Sequence, residues 1–199
     1  VQMGHNVLAV DPDQKTVTVA DLSTHEQVTK SYDKLVMTSG SWPIIPKIPG
    51  IDGDKVKLCK NWNHAQTLIE EAKGAKRITV IGAGYIGAEL AEAYSTTGHD
   101  VTLIDAMDRV MPKYFDAEFT DVIEQDYRDN GVKLAMGETV QSFDQSGDAL
   151  TIPTDTGHYE TDLAILCIGF RPNTALLKGK VDMAKNGAII TDDYMRSSN

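Results

Sequence analysis

The sequence predicts an α/β fold built on a parallel sheet, and three observations predict it. The first is the stretch Arg77 to Gly87, RITVIGAGYIG, where a short apolar run passes directly into Gly82-x-Gly84-x-x-Gly87 and a helix-period run, Ala88 to Thr97, leaves it. The second is a repeat of that step: DVTLID (Asp100 to Asp105) reads as a strand, Phe115 to Asn130 as a helix and Val132 to Met136 as a further strand. The third is LAILCI (Leu163 to Ile168), an uninterrupted apolar run of the kind that a parallel sheet buries on both faces. Strands and helices alternating in this way make the architecture doubly wound.

The glycine stretch carries chemistry as well as topology. In a strand–turn–helix context the first glycine permits the tight turn, the second lets backbone approach a pyrophosphate, and the third lets the helix pack against its strand. The phosphates then sit at a helix N-terminus with free N–H groups. Asp105 closes the next strand at close to the roughly 20-residue spacing expected of a carboxylate that binds the adenine ribose. A carboxylate there repels a 2′-phosphate, so the site reads as one for NAD(H) rather than NADP(H). The fold is therefore expected to be Rossmann-like and NADH-binding, with Gly82, Gly84 and Gly87 and the backbone of Tyr85 and Ile86 cradling the pyrophosphate. Glu89, one turn into the helix, reads either as a residue near the nicotinamide or as an exposed carboxylate favoured by the helix dipole.

The remaining elements follow in order. Val7 to Thr38 reads as a β-meander: Val7 to Val10, a turn at Asp11-Pro12-Asp13-Gln14, Thr16 to Val19, Gln27 to Thr29, and a more apolar strand Leu35 to Met37. Pro43, Pro46, Pro49 and Gly50 mark an extended linker. Asn61 to Gly74 has helical character, with Ala65, Leu68 and Ile69 on one face. In the helix Phe115 to Asn130 the expected stripe is Phe119, Val122, Ile123 and Tyr127, with Gly131 as its stop. Thr139 to Phe143, Leu150 to Pro153 and Tyr159 suit a small antiparallel meander, and Gly187 to Thr191 one last strand. Gly169 ends the apolar run and reads equally as a simple strand-ending turn or as a position where open α/β sheets bind ligands.

Composition narrows the partners. A formal net charge of −10, with no basic cluster, argues against nucleic acid or an anionic membrane. No apolar run approaches the ~20 residues of a membrane span. The two cysteines, Cys59 and Cys167, lie far apart without a CxxC pattern and read as small buried residues in a cytoplasmic protein. His5, His25, His64, His99 and His158 show no metal spacing. No tyrosine has a lysine four positions on, which counts against the proton-transfer pair of a short-chain dehydrogenase.

Five motifs together carry a resemblance: Tyr32-Asp33-Lys34-Leu35 leading to Thr38-Ser39-Gly40, Val80 to Gly87, Leu103-Ile104-Asp105, Gly169-Phe170-Arg171-Pro172-Asn173-Thr174, and Thr191 to Arg196. In this order they span essentially the whole chain, which resembles the flavin-dependent pyridine nucleotide-disulfide oxidoreductase superfamily. It is most similar to the single-cysteine branch of NADH oxidases, NADH peroxidases and coenzyme A-disulfide reductases. Leu58 to Trp62 and Asp105 to Arg109 look most like the water-forming oxidases of lactic acid bacteria.

The resemblance implies a flavoprotein in which hydride passes from NADH to FAD and on to dioxygen, with a cysteine cycling through sulfenic acid so that water is the product. It implies that residues 45–172 form the NADH-binding domain, flanked by partial FAD-domain segments at 1–44 and 173–199. The FAD fingerprint, the redox cysteine and a C-terminal domain that makes a homodimer are expected to lie outside this chain, which would then be an inactive fragment. Tyr85 resembles a gate that covers the flavin until NADH displaces it, Tyr114 a residue near the adenosine, and Gly169 one whose backbone faces the nicotinamide. Thr38, Ser39 and Lys60 match positions lining the FAD. Oxidase, peroxidase, coenzyme A-disulfide reductase and a non-enzymatic NAD-binding module stay open.

Overall fold

A computed structural model describes all 199 residues, which divide into two compact units, 1–42 with 171–199, and 43–170. The first unit holds a three-stranded antiparallel sheet in the order β1 (His5–Asp11), β2 (Thr16–Asp21), β3 (Gln27–Ser31). Its first turn is the expected one at Asp11 to Gln14, where the Asp11 carboxylate accepts the Gln14 N–H at 3.0 Å. The strand expected at Leu35 to Met37 does not form: these residues are coil, and Val36 is largely exposed. No strand of the sheet pairs with them, and an extended segment without a ladder partner leaves its backbone groups to water. Gly187 to Thr191 likewise makes only one isolated bridge, Met183 to Ile189.

A short strand β4 (Ser41–Pro43) then precedes the second unit, whose elements run β5 (Val56–Leu58), α1 (Trp62–Ala72), β6 (Arg77–Ile81), α2 (Tyr85–Thr96), β7 (Asp100–Asp105), α3 (Ala117–Asp129) and β8 (Lys133–Met136). They continue through β9 (Asp144–Ser146), β10 (Ala149–Pro153), β11 (His158–Thr161) and β12 (Leu163–Leu166), after which β13 (Phe170–Pro172), paired with β4, leads the chain back into the first unit. The parallel sheet has the order β5-β12-β6-β7-β8. From β6 the chain winds outward through β7 and β8, then returns to the other side of β6 as β12. The strand order therefore reverses between β6 and β12, and such a switch point is where open α/β sheets bind ligands.

Successive residues of the parallel strands feed opposite faces, because a strand's side chains alternate. Ile78, Val80, Val101, Leu103, Leu163 and Ile165 pack with Leu68, Ala72, Ala88, Ala91 and Tyr127 of the three helices. Ile81, Ile104, Ala164 and Leu166 pack instead with Phe143, Leu150 and Ile152 of the small antiparallel sheet β11-β10-β9. One face is thus covered by helices and the other by the meander. The first meander strand expected, Thr139 to Phe143, reduces to a single bridge, Val140 to Thr154; the polar segment β9 takes the edge position. At the N-terminal edge, the Asp162 carboxylate accepts the N–H of Lys76 (3.0 Å) and of Arg77 (2.8 Å) and the Arg77 guanidinium (2.8 Å).

Two helices bury only part of the stripe expected of them. In α1 the buried residues are Leu68 and Ala72, while Ile69 is 63% exposed. In α3 Tyr127 is buried and Ile123 packs against the core as expected, but Phe119 and Val122 face outward at 64% and 69% exposure, and Thr120 and Glu124 are buried instead. The reason is polar rather than apolar. Glu124 accepts the Val110 N–H (3.0 Å) and an Arg128 N–H (2.8 Å), and Thr120 accepts from Arg109 (2.8 Å), so this face must meet the loop after β7.

Candidate functional site

A cleft of about 710 Å³ opens at the C-terminal ends of β12, β6, β7 and β8, wholly within residues 43–170. Its floor is the glycine turn. Gly82 has φ +105°, and a Cβ there would stand 2.5 Å from the carbonyl oxygen of Cys167, at the exit of β12. A Cβ on Gly87 would run into the Gly82 carbonyl oxygen, so this third glycine lets α2 press onto its own turn. Helix α2 begins at Tyr85, sooner than expected, with Gly84 as N-cap and no side-chain cap. Its first N–H groups therefore point into the cleft with the positive end of the helix dipole.

Asp105 stands beside this turn, and the structure holds its carboxylate firmly. Oδ2 accepts the Ala83 N–H at 2.5 Å and Oδ1 the Met107 N–H at 2.7 Å. Two of its roughly four lone-pair sites remain for a ligand. The loop that follows is tied down along its length, with the Met111 N–H donating to Ala83 C=O (2.8 Å) and the Gly137 N–H to Met107 C=O (2.8 Å). Tyr114, at the end of this loop, meets Tyr85 edge-on with ring centroids 5.7 Å apart, and both are about half exposed on the cleft rim. Gly169 lies across the cleft, its carbonyl accepting the Ile44 N–H at 2.9 Å.

Of the residues singled out in the sequence, the cleft thus gathers Gly82, Gly84, Tyr85, Ile86, Asp105, Tyr114 and Gly169. Gly87 lies buried beneath it, and Glu89 is on the exposed side of α2 and does not line it. Thr38, Ser39 and Lys60 are exposed and do not line this cleft; Ser39 Oγ donates to Asn173 C=O, and the Lys60 ammonium lies 4.4 Å from the Phe170 ring centre. The cleft also holds residues that motif reading missed, among them Met107, Lys113, Glu138, Val140 and Cys167. Their common signal is position: each follows the C-terminal end of a parallel strand.

Cys59 and Cys167, distant in sequence, follow the paired residues Leu58 and Leu166 on neighbouring strands. Both are free thiols. Burial pushes Cys167 up to about 12 and raises Cys59, so neither is a ready thiolate at neutral pH.

The parallel sheet, its switch-point cleft and the glycine turn define an α/β protein of Rossmann-like fold. The family model described as pyridine nucleotide-disulphide oxidoreductase matches residues 1–199, and the chain belongs to that family. It is 54% identical to an NADH oxidase of Enterococcus faecalis, over all of this chain and 45% of that protein. It is 84% identical, with a TM-score of 0.97, to the solved water-forming NADH oxidase of Lactobacillus brevis bound to NADH, covering all of this chain and 44% of that one. An engineered water-forming NADPH oxidase bound to NADPH, a five-substitution mutant of that enzyme, is 81% identical with the same TM-score and coverage. The chain spans less than half the length of these relatives.

Proposed function

We propose that this chain is the NADH-binding region of a flavin-dependent, water-forming NADH oxidase. Residues 43–170 form the NADH-binding unit, and the flanking segments belong to an FAD-binding domain. NADH would supply the hydride that the whole enzyme's flavin chemistry carries on to dioxygen, and the whole enzyme is a cytoplasmic homodimer. The observation that carries this reading is the convergence of the glycine turn, the uncapped start of α2 and the backbone-held Asp105 on one cleft at the switch point.

The residues present fit NADH. The Gly82 turn leaves room that a Cβ would fill, and the α2 N–H groups take the pyrophosphate charge. Asp105 accepts hydrogen bonds from the adenosine ribose, beside Tyr114. Tyr85, on the cleft rim, is the gate that NADH displaces as it enters, and the Gly169 backbone faces the nicotinamide ring. Fit to FAD is different: Thr38, Ser39 and Lys60 remain the positions assigned to it, but all three are exposed and none lines the cleft.

The engineered relative supports the role of Asp105. Its substitutions replace a glycine, an aspartate, an alanine, a methionine and a proline, and the same residue types stand at the same spacing here as Gly87, Asp105, Ala106, Met107 and Pro112. Titration of the chain with NADH and NADPH tests the reading. Wild-type protein prefers NADH, and Asp105→Ala weakens NADH by about tenfold, or ~1.4 kcal/mol, while relaxing the discrimination against NADPH. Equal affinities of the unmutated chain for the two cofactors would count against it.

A further inference from the structure

The strand order β12-β6-β7-β8 sets an order of positions along the cleft. On the reading above, the diphosphate lies on the β6 turn and the adenosine ribose on Asp105 at the exit of β7. The next position outward, at the exit of β8, belongs to Glu138, which also lines the cleft. Its backbone N–H donates to the Asp105 carbonyl at 3.0 Å, so the two acidic residues are direct neighbours.

A second carboxylate beside a polyanionic ligand needs a reason. Phosphate oxygens repel it, so it can serve the ligand only by accepting hydrogen bonds. Beyond the ribose hydroxyls, the donor that adenosine presents is the exocyclic amine of its base. We propose that Glu138 reads the adenine, its carboxylate accepting a hydrogen bond from the 6-amino group, and that it selects a 6-amino purine over a 6-oxo purine.

Glu138 is built for that task. Tyr159 OH donates to Oε1 and Thr154 Oγ1 to Oε2, both at 2.7 Å, so each oxygen is pinned while lone pairs remain for a ligand. Thr154 is itself held, accepting the Gly157 N–H at 3.0 Å. Burial raises the Glu138 carboxyl, but the hydroxyls of Tyr159, Thr154 and Thr156 outweigh this and keep it below its ordinary range, hence ionised. Met107 and Val140, from the loops after β7 and β8, line the same end and offer apolar surface to a flat ring. With a 6-oxo purine the ring presents an acceptor to the carboxylate, and the pairing becomes repulsive.

This inference rests on the dinucleotide reading, and one set of titrations separates the two. The probes are NADH and reduced nicotinamide hypoxanthine dinucleotide, which differs at the 6-position of the purine. Wild-type protein is expected to prefer NADH by at least about tenfold. Glu138→Ala and Glu138→Gln are expected to bring the ratio within about twofold, since alanine removes the acceptor and the glutamine amide can donate to a 6-oxo group. Tyr159→Phe, which keeps the carboxylate but frees one oxygen, is expected to give an intermediate ratio. A purely structural role would weaken both dinucleotides equally and leave the ratio unchanged, which would overturn the proposal. Equal binding of both by wild-type protein would overturn it whether or not the variants fold. Binding of neither would overturn the dinucleotide reading as well.

Discussion

The two units of this chain differ in where their stability comes from. In residues 43–170 a five-stranded parallel sheet is sealed on both faces, and nearly every fully buried apolar side chain of the protein lies there. In the other unit, with its three-stranded sheet, only Val10 and Leu177 are buried among the large apolar residues, while Leu22, Val28 and Val36 are more than half exposed. One unit is held by burial, the other by its ladder and turn hydrogen bonds. The difference teaches where a binding site can be preorganised. Held loops need a rigid floor, and the glycine turn, Asp105 and Glu138 all rise from the sealed sheet.

Substitutions can break this contrast. Leu103→Ala, at the centre of the parallel sheet, is expected to cost about 3 kcal/mol by removing fully buried methyl groups and leaving a cavity. Denaturant unfolding measures it, and a loss below about 1 kcal/mol would mean that the sheet is looser than its burial implies.

Acid gives the next largest effect. The Arg77 guanidinium, helped by the N–H groups of Arg77 and Lys76, holds the Asp162 carboxyl down at about 2 against the opposing effect of burial. A carboxyl depressed in the folded state stabilises above its unfolded pKa and loses that contribution as pH falls through the folded value. Residues 43–170 should therefore lose on the order of 2 kcal/mol between about pH 4 and pH 2. Asp162→Asn should flatten that part of the profile; an unchanged slope would remove the ion pair from the account.

At the small end, Val28→Ala in β3, where the side chain is 53% exposed, should change stability by less than about 0.5 kcal/mol. A cost near that of Leu103→Ala would erase the contrast between the units.

What was legible in the sequence was what is local. The β6-turn-α2-β7 unit announces itself because an apolar run, three glycines and an acidic strand end lie within one short stretch, and each constrains its own backbone. The parallel sheet and the antiparallel meander were legible in the same way. The helix stripes were legible only in part. Leu68, Ile123 and Tyr127 face the core as read, but burial on α3 is also decided by polar partners outside the helix, with Glu124 inward on the Val110 N–H and Phe119 outward. Leu35 to Met37 has strand composition but no strand to pair with. Glu138 escaped notice for a similar reason. It lies in an unremarkable segment, and only the sheet order places it beside Asp105, while its tethers Thr154 and Tyr159 come from the meander.

The central claim is that one cleft on the sealed sheet receives the dinucleotide. Hydrogen exchange of the whole chain with and without NADH tests it most directly. NADH should slow exchange at residues 82–88, 105–114, 138–140 and 167–170, and leave 5–31 unchanged. Protection confined to 5–31, or none at the glycine turn at saturating NADH, would contradict it.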